Sequence, residues 1–239
     1  MGIKRGEITT KVIKNGLVFN MDAANRASTT PVSNVETSFN TVDISISGAF
    51  SDNGIFDSST ITPSFAFGGT DDYIETSYDS TGVTGFSITS WAKANSYGSY
   101  NSIASQWRAS STTSSWVLES VSNKMFFYVV KSGGFSYAGG NTTISAGQWY
   151  NFSAVWDSSS QVVTVYINGV PEATTVTGLT TWATTNVNTV IGALYNNAGT
   201  TIDSGLWNGN IGPIQIYNRA LSAEEVLYNY NGLKSRFGL

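Results

Sequence analysis

The sequence contains no cysteine and no histidine. Disulfides, thiol nucleophiles, zinc sites built on Cys or His, and every imidazole general base are excluded together. Charge is scarce as well: Asp, Glu, Lys and Arg make up 12% of the chain, about half the usual fraction. With 12 basic against 16 acidic side chains the formal net charge is -4. No basic run interleaved with aromatics appears, so the electrostatic footprint of a nucleic-acid binder is missing. There is no stretch of about 18 apolar residues to cross a membrane as a helix. The opening MGIKRGEITTKVIKNG lacks the apolar segment of a secretion signal.

What is present is apolar mass and hydroxyls. Hydrophobic residues supply 41% of the 239 positions and aromatics 13%, enough for a full core in one domain. Serine and threonine supply about a quarter of the chain, well above ordinary usage, and 24 glycines accompany them. The surface must therefore be solubilised by hydroxyl and amide groups. Such a composition suits life outside a cell, whereas the absent leader and absent disulfides suit synthesis in a reducing cytoplasm. A virion protein released by lysis reconciles the two. The alternative is an extracellular domain without its leader.

Short alternating runs recur between turn-forming clusters: GLVFNMD, SFAFGG, DYIETSY, FSITSWAKA, SWVLESV, KMFFYVV, WYNFSAVWD, VVTVYINGV, NTVIGAL and GPIQIYN. This spacing predicts an all-β sandwich or barrel. In FSITSWAKA neither face is purely polar, which places Trp91 in or near the core; Trp149 and Trp156 are assigned to the core of a following strand. Asn168-Gly169 supplies the pair of positive φ angles that a two-residue hairpin turn requires. Asp157 to Ser160 punctuate the strand before it, which predicts an antiparallel meander. One helix is signalled: Ser222 as N-cap, Glu225 completing a capping box, and Leu221, Val226 and Tyr230 to pack on the flank of the sandwich. Residues 1–15 carry Lys4, Arg5, Lys11 and Lys14 and read as an arm preceding a domain over 16–239.

Several of these stretches, in this order, resemble the concanavalin A-like lectin/glucanase superfamily, and in particular laminin-G-like domains of the pentraxin type. GLVFNMDAAN is similar to the family's first strand and FAFGGTDDYIET to its Gly-x-Asp-Asp-Tyr-Ile segment. FSITSWAKA and GQWYNFSAVWD resemble its two Trp-bearing strands, VTVYINGV its hairpin, and NGNIGPIQIYNRALSAEEV its closing strand and helix. The resemblance implies a jelly-roll β-sandwich of two antiparallel sheets with one short C-terminal helix. The start and the ending YNRALSAEEVLYNYNGLKSRFG also resemble copies of this domain in tailed-phage structural proteins. Two departures stand out. Gly209-Asn210-Ile211-Gly212-Pro213 replaces a Gly-x-Ile-Asp pattern, so an acidic side chain is lost, and 25–63 lacks the usual Asn/Gly-rich segment.

Glucanases of this superfamily need two carboxylates about 5–5.5 Å apart for retention of configuration. No such cluster is visible: Asp71, Asp72 and Glu75 fall in the family's structural segment, and Glu224 and Glu225 at the helix start. A non-enzyme is expected. The family's bound Ca²⁺ implies Asp22 and Asp72 as metal ligands, with Asp203 behind them; the competing role is that Asp22 caps a loop and Asp72 fixes a turn. A pyranose would need an exposed aromatic platform with amide and hydroxyl partners. Tyr97, Tyr100, Trp182, Tyr195 and Trp207, all in loop-like stretches, are the candidates, each with the alternative of plugging the sandwich edge. The function implied is that of a virion surface protein, a decoration or fibre-type module, weakly adhering to cell-surface glycans. Its expected partners are capsid or tail proteins and further copies of itself. A secreted or cell-surface carbohydrate-binding module is the alternative, and a glycoside hydrolase or lyase of the same fold comes third.

Overall fold

The computed structural model describes residues 12–23, 56–57, 64–109, 114–131 and 134–239. Strands run in chain order as β1 (Leu17–Met21), β2 (Phe56–Asp57), β3 (Ser64–Gly68), β4 (Ile74–Glu75), β5 (Phe86–Ala94), β6 (Asn101–Gln106), β7 (Trp116–Val121), β8 (Lys124–Lys131) and β9 (Gly134–Thr143). The second half adds β10 (Tyr150–Asp157), β11 (Val162–Ile167), β12 (Val170–Pro171), β13 (Val176–Thr177), β14 (Val190–Ile191), β15 (Leu194–Tyr195), β16 (Ile202–Ser204) and β17 (Asn208–Tyr217). Helix α1 (Ala223–Leu233) and a 3-10 turn over Lys234–Phe237 close the chain.

These strands form two large antiparallel sheets and a small ribbon. The larger sheet runs β12-β11-β10-β5-β17-β3-β2, with β1 also paired to β17 and β13 to β11; the smaller runs β4-β14-β6-β7-β8-β9. Phe86, Ile88, Phe152, Ala154, Trp156, Ile214 and Ile216 of the larger sheet meet Trp116, Leu118, Met125, Phe127 and Val129 of the smaller in one apolar core. The period-2 pattern of each strand dictates this, because alternate side chains fall on one face. The Asn168-Gly169 turn has φ of 52° and 78°, and it pairs Ile167 with Val170 as the sequence predicts.

One polar node is buried inside that core. The Ser80 hydroxyl accepts the indole N–H groups of Trp116 and Trp182, each at 3.0 Å, and donates to Oε1 of Gln106 at 2.5 Å. A hydroxyl has one proton and two lone pairs, so all its capacity is used. Gln106 in turn donates from Nε2 to Asp79 at 2.6 Å and to the Val187 carbonyl at 3.1 Å. The rings of Phe86, Trp116, Phe127, Trp156 and Trp182 stack around it, with centroids 4.8–6.5 Å apart.

The outer face of the larger sheet is covered by the chain's own C-terminus. Ser222 caps α1 and Glu225 completes the capping box. Glu225 is also gripped by Arg219 at 2.7 Å, whose guanidinium holds the carboxyl below its ordinary range. Leu221 and Val226 pack with Val155, Tyr166 and Tyr217. Trp91 is buried, yet on this outer side, where Phe237 stacks on it at 4.1 Å and Tyr230 at 5.7 Å. Trp149 joins this layer, against Phe237 at 4.8 Å, rather than the core between the sheets. Trp156 lies in the core as expected.

The expected arm divides. Residues 1–11 lie outside the described residues. Residues 12–15 are docked: Val12 is buried beside Trp91 and Phe237, Ile13 N–H donates to Asn229 at 2.8 Å, and the Ile13 carbonyl accepts the Tyr217 hydroxyl at 3.0 Å. The folded unit therefore includes residues on the arm side of the 15/16 boundary, because Val12 and Ile13 are apolar enough to gain by burial beneath α1.

Replacing Ser80 by Ala leaves two indole donors and a Gln106 lone pair unsatisfied. It is expected to lower unfolding free energy by about 3 kcal/mol, measured as a lower urea midpoint; an unchanged midpoint would show that the node does not hold the core.

Candidate functional site

The edge aromatics divide by burial. Trp182 is 9% exposed and Trp207 0%. Both belong to the central cluster, and Trp182 is held there by Ser80. Tyr195 is buried and its hydroxyl donates to Glu75, which also accepts from Asn188 at 3.0 Å. These three plug the sandwich edge and present no face for stacking, because indole and phenol rings in this apolar chain gain more by burial than by display. Tyr97 is half-buried and packs against the core, its phenol pushed up by burial. Tyr100 alone of the five stands free, at 60% exposure.

The acidic candidates are likewise engaged. Asp22 is buried and receives both guanidinium nitrogens of Arg236, at 2.8 Å each. It ties the C-terminal tail to the end of β1, and Arg236 already supplies the charge that a cation would bring. Asp72 is buried and accepts the Gly68 N–H at 2.5 Å, which fixes the turn leading to Tyr73. Asp203 accepts hydroxyls from Thr201 and Ser204 at 2.9 and 3.3 Å. Among the described residues no group of three or more acidic side chains converges, whereas Ca²⁺ takes six to eight oxygens. Among the described residues, the surroundings of Asp22 and Asp72 do not fit the calcium site that the resemblance implied.

The concave feature lies elsewhere, on the outer face of the smaller sheet. Alternation in β7 and β8 sends Trp116, Leu118, Met125, Phe127 and Val129 inward. It leaves Val117, Glu119, Phe126, Tyr128 and Val130 on the opposite face. Register then lines up rows across strands: Val117 opposite Tyr128 and Tyr128 opposite Tyr137; Ser102 opposite Glu119 and Glu119 opposite Phe126. Beyond Phe126 the row ends at Gly139. A side chain at the adjacent Gly140 would strike the Phe126 ring, whose nearest carbon would lie 2.2 Å from an added Cβ.

The result is a cleft of about 850 Å³ lined by Tyr100, Trp107, Glu119, Tyr128, Val130, Phe135, Leu194 and backbone at Gly134 and Gly205. Its volume is within the range of ligand pockets. Trp107, Val117 and Leu194 form the floor with Tyr128 and Val130 beside them. Phe135, 67% exposed, stands edge-on to Trp107 at 6.4 Å and to Tyr128 at 6.0 Å. Tyr137 meets Tyr128 at 5.4 Å and Phe126 at 5.3 Å. The rings of Trp107, Phe126, Tyr128, Phe135 and Tyr137 thus form a connected aromatic surface on the outer face of the smaller sheet.

Glu119 is the single carboxylate among the described residues lining this cleft. It is 6% exposed, and burial alone pushes its carboxyl up to about 7. Behind it the Ser102 hydroxyl is buried without a partner. Tyr128 is pushed up to about 12, by burial first and then by Glu119, Tyr100 and Tyr137 nearby. Of these residues, sequence reasoning found Tyr100 only. The signal for the rest was available in KMFFYVV and GFSYAGG, which carry large apolar residues on both faces of consecutive strands.

A laminin-G family model, described as the concanavalin A-like lectin/glucanases superfamily, matches residues 67–227. Among solved structures, the chain is similar to the native heptameric SAP-like pentraxin of Limulus polyphemus, with a TM-score of 0.55 and 20% identity, covering 68% of this chain and 78% of that one. It is similar to domain 4 of AbnA, an extracellular arabinanase of Geobacillus stearothermophilus in complex with arabinotriose, with a TM-score of 0.53 and 17% identity over 73% and 80% of the two chains. The receptor binding domain of botulinum neurotoxin type G matches with a TM-score of 0.53 and 16% identity, over 74% of this chain and 44% of that one. At these identities the likeness is one of fold. No curated protein matches the chain in sequence.

The Glu119 environment has a thermodynamic consequence. Its folded-state pKa is raised from 4.5 to about 7, so between those values the folded state holds the extra proton. Stability is then full below about pH 4.5, falls as pH rises towards 7, and levels off above it. Glu119→Gln removes this loss. The variant is expected to gain about 3 kcal/mol relative to the parent on going from pH 4.5 to pH 8, read from denaturant unfolding at both values. Parallel pH profiles would place the carboxyl in water.

Proposed function

We propose that this chain, which belongs to the concanavalin A-like lectin/glucanases superfamily, is a non-enzymatic carbohydrate-binding module that seats glycans in the aromatic cleft outside its smaller sheet. The observation that carries this reading is the connected set of Trp107, Tyr128, Phe135 and Tyr137 rings, with Tyr100 exposed at the same cleft. A pyranose offers an apolar C–H face that stacks on such rings and polar edges that meet backbone and hydroxyl groups at the rim. Gly134, Ser99, Ser204 and Gly205 supply that rim.

The non-enzymatic part rests on the acid inventory. Glycoside hydrolysis commonly needs two carboxyl groups across the scissile bond, and Glu119 has no second carboxylate among the described lining residues. Hydrolysis of a panel of β-glucans and other polysaccharides is expected to stay at background.

For the biological setting we favour the surface of a phage particle, with residues 1–11 reaching a capsid or tail protein. Lys4, Arg5 and Lys11 against Glu7 give that segment its positive charge, which suits an acidic partner surface. A secreted or cell-surface module is the alternative setting. Deleting residues 2–11, which spares the docked Val12 and Ile13, is expected to leave a folded domain that no longer co-sediments with particles; normal incorporation would defeat the attachment role.

The binding face is tested by substitution. Phe135→Ala and Tyr100→Ala remove exposed rings and are expected to weaken binding on a glycan array at least tenfold while the melting temperature stays within a few degrees. Trp207→Ala is expected to do the reverse, costing about 3–5 kcal/mol of stability. Glycan binding that survives loss of both exposed rings would move the site off this face.

A further inference from the structure

We infer that Glu119 makes the cleft selective for sugars carrying a protonated amine over their N-acetylated and acidic counterparts. The inference rests on the glycan-binding reading above and assigns that site its ligand class.

The first ground is the charge inventory. Glu119 is the one ionisable acid among the described lining residues, and no Lys or Arg lines the cleft with it. Arg108 donates to the carbonyls of Asn197 and Ala198, and Lys131 to that of Thr177 at 2.6 Å; Lys124 shares the outward face of β8 with Phe126 but does not line the cleft. Tyr128, which lines the cleft with Glu119, feels Glu119 together with the phenols of Tyr100 and Tyr137. An acidic sugar would find no counter-charge among the described lining residues, and its carboxylate would oppose ionisation of Glu119.

The second ground is that Glu119 is unserved by the fold. Burial is the one influence on its carboxyl, in contrast to Glu225, Glu75 and Glu172, each of which accepts hydrogen bonds from its surroundings. A buried ionised carboxylate costs several kcal/mol unless paired. A ligand ammonium pairs it, and a ligand N-acetyl group does not.

The third ground is the rings. The π-faces of aromatic side chains attract a cation within about 6 Å of the ring centre, more strongly when water is excluded. Trp107, Tyr128 and Phe135 stand within 6.0–6.4 Å of one another in two edge-on pairs at the same cleft as Glu119. An ammonium held by the carboxylate would lie among them. Because the free carboxyl is largely protonated below neutrality, binding the amine there expels that proton: the acid gives up H⁺ to solvent and the ammonium–carboxylate pair remains.

The test is calorimetric titration at pH 6.5 and low ionic strength, with trisaccharides of glucosamine, N-acetylglucosamine and galacturonic acid, in two buffers of different ionisation enthalpy. The glucosamine trimer is expected to bind at least tenfold more tightly than the N-acetylated one, with net proton release, and the galacturonate trimer not to bind. Glu119→Gln, checked for folding by its melting curve, is expected to bring the glucosamine and N-acetylglucosamine affinities within threefold and to abolish the proton release. A preference that persists in Glu119→Gln, or galacturonate bound as well as glucosamine, would overturn the inference. Equal binding of the glucosamine and N-acetylglucosamine trimers would sink the selectivity while leaving the glycan reading intact. No binding of any trimer, together with no effect of Phe135→Ala on an array, would sink both.

Discussion

A single hydroxyl decides which aromatic residues of this domain are available. Ser80 is bonded to Trp116 from the smaller sheet and to Trp182 from the long connection before β14, at 3.0 Å each. Both indoles can then be buried with their N–H groups satisfied, which is the condition for placing a tryptophan in an apolar core. Gln106 extends the node to Asp79 and to the Val187 carbonyl, so the connection is fastened to β6 directly at Val187 and through Ser80 at Trp182. With that edge closed by Trp182, Trp207 and Tyr195, the exposed rings of Phe135 and Tyr137 stand on the outer face of the smaller sheet.

The two sheets solve the same problem differently. Each carries apolar side chains on its outer face as well as its inner one. On the larger sheet, Trp91, Tyr166 and Tyr217 are covered from within the chain, by α1, by Phe237 and by residues 12–15. The Asp22–Arg236 pair at 2.8 Å holds that cover in place. On the smaller sheet, Phe135 and Tyr137 remain exposed and Tyr128 half-covered. Exposed aromatic surface often marks a binding face, which is why we propose this face for glycans, and Glu119 is the one carboxylate among the described residues lining its cleft.

What was legible in the sequence was local. The Asn168-Gly169 hairpin and the Ser222 capping box depend on residues two or three positions apart, and both form as expected. The sandwich followed from period-2 patterning and the order of family-like segments. Burial of the edge aromatics was not legible, because it depends on partners far along the chain: Ser80 and Trp182 are 102 positions apart, and Asp22 and Arg236 are 214 apart. A loop aromatic before and after pairing with such a partner reads identically. Glu119 escaped notice for a related reason. In SWVLESV it occupies an outward position of an alternating strand, where an acid ordinarily faces water; only the packing of Trp107, Tyr128 and Leu194 over that face takes the water away.

The central claim is that ligands meet this domain on the outer face of the smaller sheet and not at the loop-bearing edge. Amide chemical-shift mapping during titration with a soluble oligosaccharide tests it most directly. Perturbations confined to Tyr100, Trp107, Glu119, Tyr128 and Phe135 and their strand neighbours, with Trp182 and Trp207 silent, are the expected result. Shifts centred on Trp182, Trp207 and the Asn196–Thr201 turn, with β7 to β9 silent, would contradict it.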